Sequence, residues 1–168
     1  MQSNADGLLS HQVAMNRQED RRRILLLLTE QSPLQRLWQV VEQHLAGAHN
    51  EVLAFFISDE KWHRAASLPF TREFSRLNGT HRNFTVQRAA ELDQDIIGQV
   101  QARLRELTTN AELEPTFEVL AEREVSRIGN YVRVKRDLLV APAALKNRDA
   151  FGELTRLSCQ TLFVESEE

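Results

Sequence analysis

Ile24 to Leu28 is an unbroken aliphatic run that stops abruptly at Thr29, Glu30 and Gln31. A short stretch that is apolar at every position predicts a strand buried on both faces, as in the centre of a parallel sheet. The pattern then changes period. Leu34, Leu37, Val41 and Leu45 recur at helical spacing, with Trp38 and Val40 widening the stripe. Ser32, Pro33 and Gln35 stand where an N-cap, a first-turn proline and a capping-box partner belong, and Gly47 where a helix ends. Val52 to Ile57 is a second continuous apolar run, so the chain begins strand, helix, strand. A helical connection between such strands implies parallel pairing and a right-handed crossover.

The pattern lapses from Asp59 to Phe84, where Trp62, Pro69, Phe70, Phe74 and Phe84 are scattered among Arg and His. A stretch this long inside one domain is expected to be functional or partly helical, and its aromatics to pack down onto the body. Thr85 is placed to cap the next helix, whose stripe is Leu92, Ile96, Val100, Leu104 and Leu107. Three more strands are predicted at Pro115–Ala121, Asp137–Ala141 and Cys159–Glu165. Short helices are predicted between them at Glu124–Val134 and at Asp149–Leu157, the latter with Phe151, Leu154 and Leu157 inward. The order βαβαβαβαβ predicts an α/β fold: a doubly wound five-stranded parallel sheet with helices on both faces. No repeat or linker divides it. We expect a flexible arm over residues 1–21 and one domain over 22–168.

Composition narrows the function classes. With 42% hydrophobic and 27% charged residues the 168-residue chain suits a globular domain rather than a disordered one. A net charge of -3 argues against a dedicated nucleic-acid binder. The apolar run after Arg21, Arg22 and Arg23 is too short for a signal peptide or a membrane span, so a cytoplasmic protein with no membrane partner is expected. A single cysteine, Cys159, fits a reducing compartment and a buried structural thiol. His11, His44, His49, His63 and His81 show no HxH or HExxH spacing, so no metal site is expected. There is no GxSxG, P-loop or GxGxxG, and no catalytic residue is assigned.

Three segments give the chain a family likeness. They are Arg23 to Leu28 with the Ser-headed helix, Glu51 to Asp59, and Asp137 to Val140 followed by Leu157 to Val164. On these the chain resembles the universal stress protein family over roughly residues 22–165. The resemblance implies a regulatory, non-enzymatic stress-response protein, and a homodimer paired through the last strand, at Gln160, Thr161, Leu162, Phe163 and Val164. It also implies a ligand crevice between the first and fourth strands. Thr29, Glu30, Ser32, Ala141 and Pro142 would line that crevice, and Lys146, Asn147 and Arg148 would close over it. Nucleotide-binding members carry an Asp after the first strand and a glycine-rich motif after the fourth. Here the corresponding stretches read Thr29-Glu30-Gln31-Ser32 and Ala141-Pro142-Ala143-Ala144-Leu145-Lys146-Asn147-Arg148. Without glycines for close approach, the family's usual ATP site and its cofactor are not expected. The alternative reading is a divergent nucleotide- or anion-binding module at the same crevice. Residues 59–84 are the expected surface for a protein partner, or else a lid.

Overall fold

The computed structural model describes residues 22–45, 50–111, 113–133 and 135–166. The expected arm and the stop at Gly47 lie outside the described residues. In chain order the elements are β1 (Arg22–Leu28), α1 (Leu34–His44), β2 (Asn50–Ser58), α2 (Lys61–Ser67), β3 (Arg72–Phe74), β4 (His81–Asn83), α3 (Val86–Thr108), β5 (Thr116–Ala121), β6 (Leu138–Pro142) and β7 (Gln160–Val164). Five strands form one parallel sheet in the order β5-β2-β1-β6-β7. This is the α/β fold that the hydrophobic pattern predicts.

Alternation along the strands divides the core in two. Leu25, Leu27, Leu53, Phe55, Ile57 and Leu139 point to one face. Ile24, Leu26, Leu28, Val52, Phe56 and Val140 point to the other. Trp38, Leu37 and Val41 of α1 and Leu104 of α3 cover the second face. The first face is covered by Val125, Ile128, Leu145, Phe151 and Leu154, all in short 3-10 segments. Both longer α-helices therefore share one side. That arrangement follows from handedness: connections running outward from β1 to β2 to β5 pack on one face, and those running β6 to β7 on the opposite face.

Three local predictions are corrected. Ser32 does not cap α1; Pro33 occupies the N-cap position with no side-chain cap. The Ser32 hydroxyl instead accepts the Thr29 N–H at 2.7 Å. The helices predicted at Glu124–Val134 and Asp149–Leu157 are 3-10 segments, at Glu122–Tyr131, Asp149–Phe151 and Leu154–Arg156. In the latter stretch the inward residues Phe151, Leu154 and Leu157 recur every third position, which matches three residues per turn better than 3.6. The prediction for Thr85 matches the structure: its hydroxyl accepts the Arg88 N–H at 3.2 Å.

Candidate functional site

The carboxyl ends of β1 and β2 frame a cleft of about 130 Å³. The turn leaving β1 is closed on itself. Thr29 N–H donates to Ser32 Oγ, Ser32 N–H returns to the Thr29 carbonyl at 3.2 Å, and the two hydroxyls lie 3.0 Å apart. That closure satisfies the local backbone and leaves Glu30 free to ion-pair with Lys61. The turn leaving β2 is closed by side chains too: Asp59 Oδ1 accepts the Lys61 N–H at 3.0 Å, and Glu60 sits in the left-handed region at φ 54°. The Glu60 carboxylate is in turn held by Arg123.

These turns place α2 beside the cleft. None of its residues is fully buried. It packs on α3 and is tied down by the ion pair of Lys61 with Glu30 and by the contact of His63 Nε2 with Asp93 Oδ2 at 2.9 Å. Burial pushes the Asp93 carboxyl above its ordinary range, and the His63 charge opposes that shift. Trp62 lies against Phe84 with ring centroids 6.1 Å apart. Its indole N–H is buried and has no hydrogen-bond partner among the described residues. Such a donor costs about 1–3 kcal/mol.

The cleft walls combine Trp62, Ile57 and Ile96 with Asp59 and Asp93; Thr29, Glu30 and Arg148 complete the mouth. A second cleft of about 180 Å³ shares Thr29 and Glu30 and adds Ser32, Gln99 and Arg103. The two cations of the first cleft, Lys61 and Arg148, are both engaged. Lys61 is paired with Glu30, and Arg148 stands 3.8 Å from Glu122. The loop after β6 offers little to an anion. The amides of Lys146 and Arg148 donate to the carbonyls of Ala143 and Leu145, at 3.0 and 3.1 Å.

The crevice residues named from sequence are therefore dispersed. Thr29, Glu30 and Arg148 meet at the cleft, and Ser32 lies in its neighbour. Ala141 is buried within β6. Lys146 stands over the Phe163 ring at 5.8 Å, and Asn147 is exposed and lines neither cleft. The space lies towards β2 rather than between β1 and β6. Trp62, Asp93 and Ile96 were not singled out for a site. A tryptophan just past the carboxyl end of a central strand was the available signal, because ligands of such sheets bind there. Among the described residues no group of three or more His, Cys, Asp or Glu is arranged to hold a metal ion. Gln160 to Val164 form β7, which among the described residues is an edge of the sheet paired with β6 alone.

No protein-family model and no curated protein matches the chain. Among solved structures it is similar to one described as "Crystal structure of hypothetical protein, PH0823", with a TM-score of 0.48 and 14% identity over 88% of this chain and 97% of that one.

Proposed function

We propose that the protein is a non-enzymatic regulatory module of the universal stress protein type, and that it responds to a small planar ligand of nucleobase or nucleoside size. The observation that carries this reading is the cleft at the ends of β1 and β2, bordered by a helix that buries none of its residues and is held by ion pairs. A ligand that enters must compete with the Glu30–Lys61 pair or move Trp62. Occupancy is thereby coupled to the position of α2 and the segment behind it.

Size and charge select the ligand. A space of about 130 Å³ falls below the roughly 300–1,000 Å³ of sites that take drug-sized molecules. Asp59 and Asp93 accept N–H donors such as the amino group of a purine, while Trp62, Ile57 and Ile96 supply apolar contact. Phosphates gain little in this cleft, since Lys61 and Arg148 are already paired and the β6 loop amides at 146 and 148 are already donating. On that ground we rank a divergent nucleotide- or anion-binding module at the β1–β6 crevice second.

The test is tryptophan fluorescence and calorimetry with adenosine, AMP and ATP. Adenosine is expected to bind at least as tightly as ATP, with a fluorescence change that disappears in Trp62→Phe. Saturable ATP binding about ten-fold tighter than adenosine, or no binding of any of the three, overturns the reading.

A further inference from the structure

Residues 64–88 differ from the rest of the molecule in charge and in exposure. They contain Arg64, Arg72, Arg76, Arg82 and Arg88, no lysine, and one acid, Glu73. The remainder of the chain then holds sixteen Lys and Arg against twenty-three Asp and Glu. This segment is a basic island on an acidic body. It is also where apolar surface is left uncovered. Of the six large apolar side chains exposed among the described residues, five lie between Leu68 and Val86; Phe70 is 96% exposed and Leu77 is 100% exposed.

The β3–β4 hairpin explains how both properties share one surface. Glu73 and Arg82 are cross-strand partners, and Glu73 is clamped by Arg88 of α3 at 3.1 and 3.0 Å. Side chains alternate along a strand, so Arg72, Phe74 and His81 stand on the opposite face, away from α3. There Phe74 and His81 pack with centroids 4.9 Å apart. The turn beyond carries Arg76 and Leu77, and Gly79 takes the left-handed conformation at φ 65°. Phe70, just before β3, also has a positive φ, of 65°. A bulky residue held in that region and in full contact with water marks a conformation the local chain does not choose by itself.

We propose that this hairpin and the turn before it dock on the surface of an anionic phospholipid bilayer. The partner must supply two things together. Arginine without lysine is matched to phosphate oxygens, which it binds through its planar fork. Leu68 and Leu77 need hydrocarbon, and aliphatic side chains gain nothing from base stacking. A phospholipid leaflet offers phosphate and hydrocarbon within a few ångströms of each other, and single-stranded nucleic acid offers only the first. No described helix is long and apolar enough to cross a membrane. The short apolar runs of the sequence argue only against spanning a membrane, whereas lying on the surface needs only a few inserted side chains and a basic rim. Because the hairpin projects the basic island, a Debye length of about 8 Å screens the lipid from the acidic body.

Co-sedimentation of the full chain with vesicles tests this, comparing pure phosphatidylcholine with a mixture holding about 30% phosphatidylglycerol, an anionic lipid. Binding is expected on the anionic vesicles only, and it should weaken as salt rises. Phe70→Ser with Leu77→Ser should reduce partitioning about ten-fold or more, from the lost apolar insertion. Arg72→Glu with Arg76→Glu should abolish it. All four side chains are exposed, so the variants should melt with the wild type, which separates lost docking from lost folding. Three results overturn the proposal: no vesicle binding at millimolar lipid, binding that the variants leave unchanged, or binding of a single-stranded RNA without binding of vesicles. None of them bears on adenosine binding in the cleft.

Discussion

Asp137 shows how a single carboxylate fixes the end of the sheet opposite the cleft. It is 1% exposed, just before β6, and accepts the N–H groups of Arg23 and Arg133 at 2.9 and 2.8 Å. Next to it the Arg23 side chain donates to Glu51 at 2.8 Å and to the Tyr131 carbonyl at 3.0 Å, so β1, β2 and the approach to β6 are joined at their amino ends. The Tyr131 hydroxyl donates to Glu118 at 2.7 Å, which raises the tyrosine pKa and adds β5 to the same network. Removing the Asp137 carboxylate leaves inward-facing N–H donors without an acceptor. Asp137→Ala should therefore cost about 2–4 kcal/mol, read as a lower urea midpoint at an unchanged denaturant slope. Asp137→Asn retains one oxygen and should lose roughly half as much. A midpoint within error of wild type for the alanine variant would mean that the network is ornamental. Nearby, burial pushes the Cys159 thiol up and the Asp137 charge adds to that shift, so the thiol is held protonated and poorly nucleophilic.

At the scale of elements, the hairpin is the piece with least claim on the core, and its attachment depends on one carboxylate. The hydrogen bond from Arg88 holds the Glu73 carboxyl below its ordinary range, with the Arg88 and Arg82 charges helping. A depressed carboxylate contributes fully above its unfolded pKa and loses that contribution as pH falls through the folded value. Docking of β3–β4 on α3 should accordingly loosen in acid, below the ordinary glutamate range, while the sheet persists. Glu73→Gln should reproduce the loosening at neutral pH. Amide hydrogen exchange is expected to accelerate over residues 72–83, with the global unfolding midpoint little changed. Equal protection in variant and wild type would show that contacts other than the Arg88 clamp hold the hairpin. The same segment marks the limit of what the hydrophobic pattern reveals. The three central strands β1, β2 and β6 were legible because burial on both faces forces an unbroken apolar run, and the edge strands β5 and β7 by shorter apolar clusters. Arg72-Glu73-Phe74 and His81-Arg82-Asn83 are strands with nothing to bury, so no such run exists. Only Asn78-Gly79, a frequent hairpin turn, announces them. For the same reason the segment packs down through Trp62 and Phe84, while Phe70 and Phe74 stay exposed. The cleft was half legible. Thr29 and Glu30 follow a strand that sequence locates well, but Asp93 and Ile96 come from a helix whose rotation over the sheet no local pattern fixes.

At the scale of the whole molecule, the sheet has two open edges among the described residues, β5 and β7, and they are not equally protected. β5 carries Glu118 at mid-strand, a charge that discourages pairing with another sheet. β7 reads Gln160-Thr161-Leu162-Phe163-Val164 and carries no charge at all. Thr161 to Val164 are only half-buried, although Phe163 packs against one core and Leu162 and Val164 against the other. An uncharged apolar edge left unpaired is a template for another strand. Two copies related by a two-fold axis can satisfy it antiparallel, each covering the other's β7 and leaving only the charged β5 edges at the two ends. On that argument we expect a homodimer joined through β7, a continuous ten-stranded sheet in which both β1–β2 clefts remain open at a distance from the joint. Sedimentation velocity should give twice the 19.3 kDa chain mass at micromolar concentration. A charge at the edge, Thr161→Lys, should shift the mass towards the monomer, while Glu118→Lys on the opposite edge should leave the dimer intact. If the wild type sediments as a monomer at about 100 μM, well above the range in which stable dimers form, β7 is an edge that the chain protects by some other means. If Glu118→Lys disrupts the dimer instead, the copies meet through β5, and the unprotected strand is not the one that pairs.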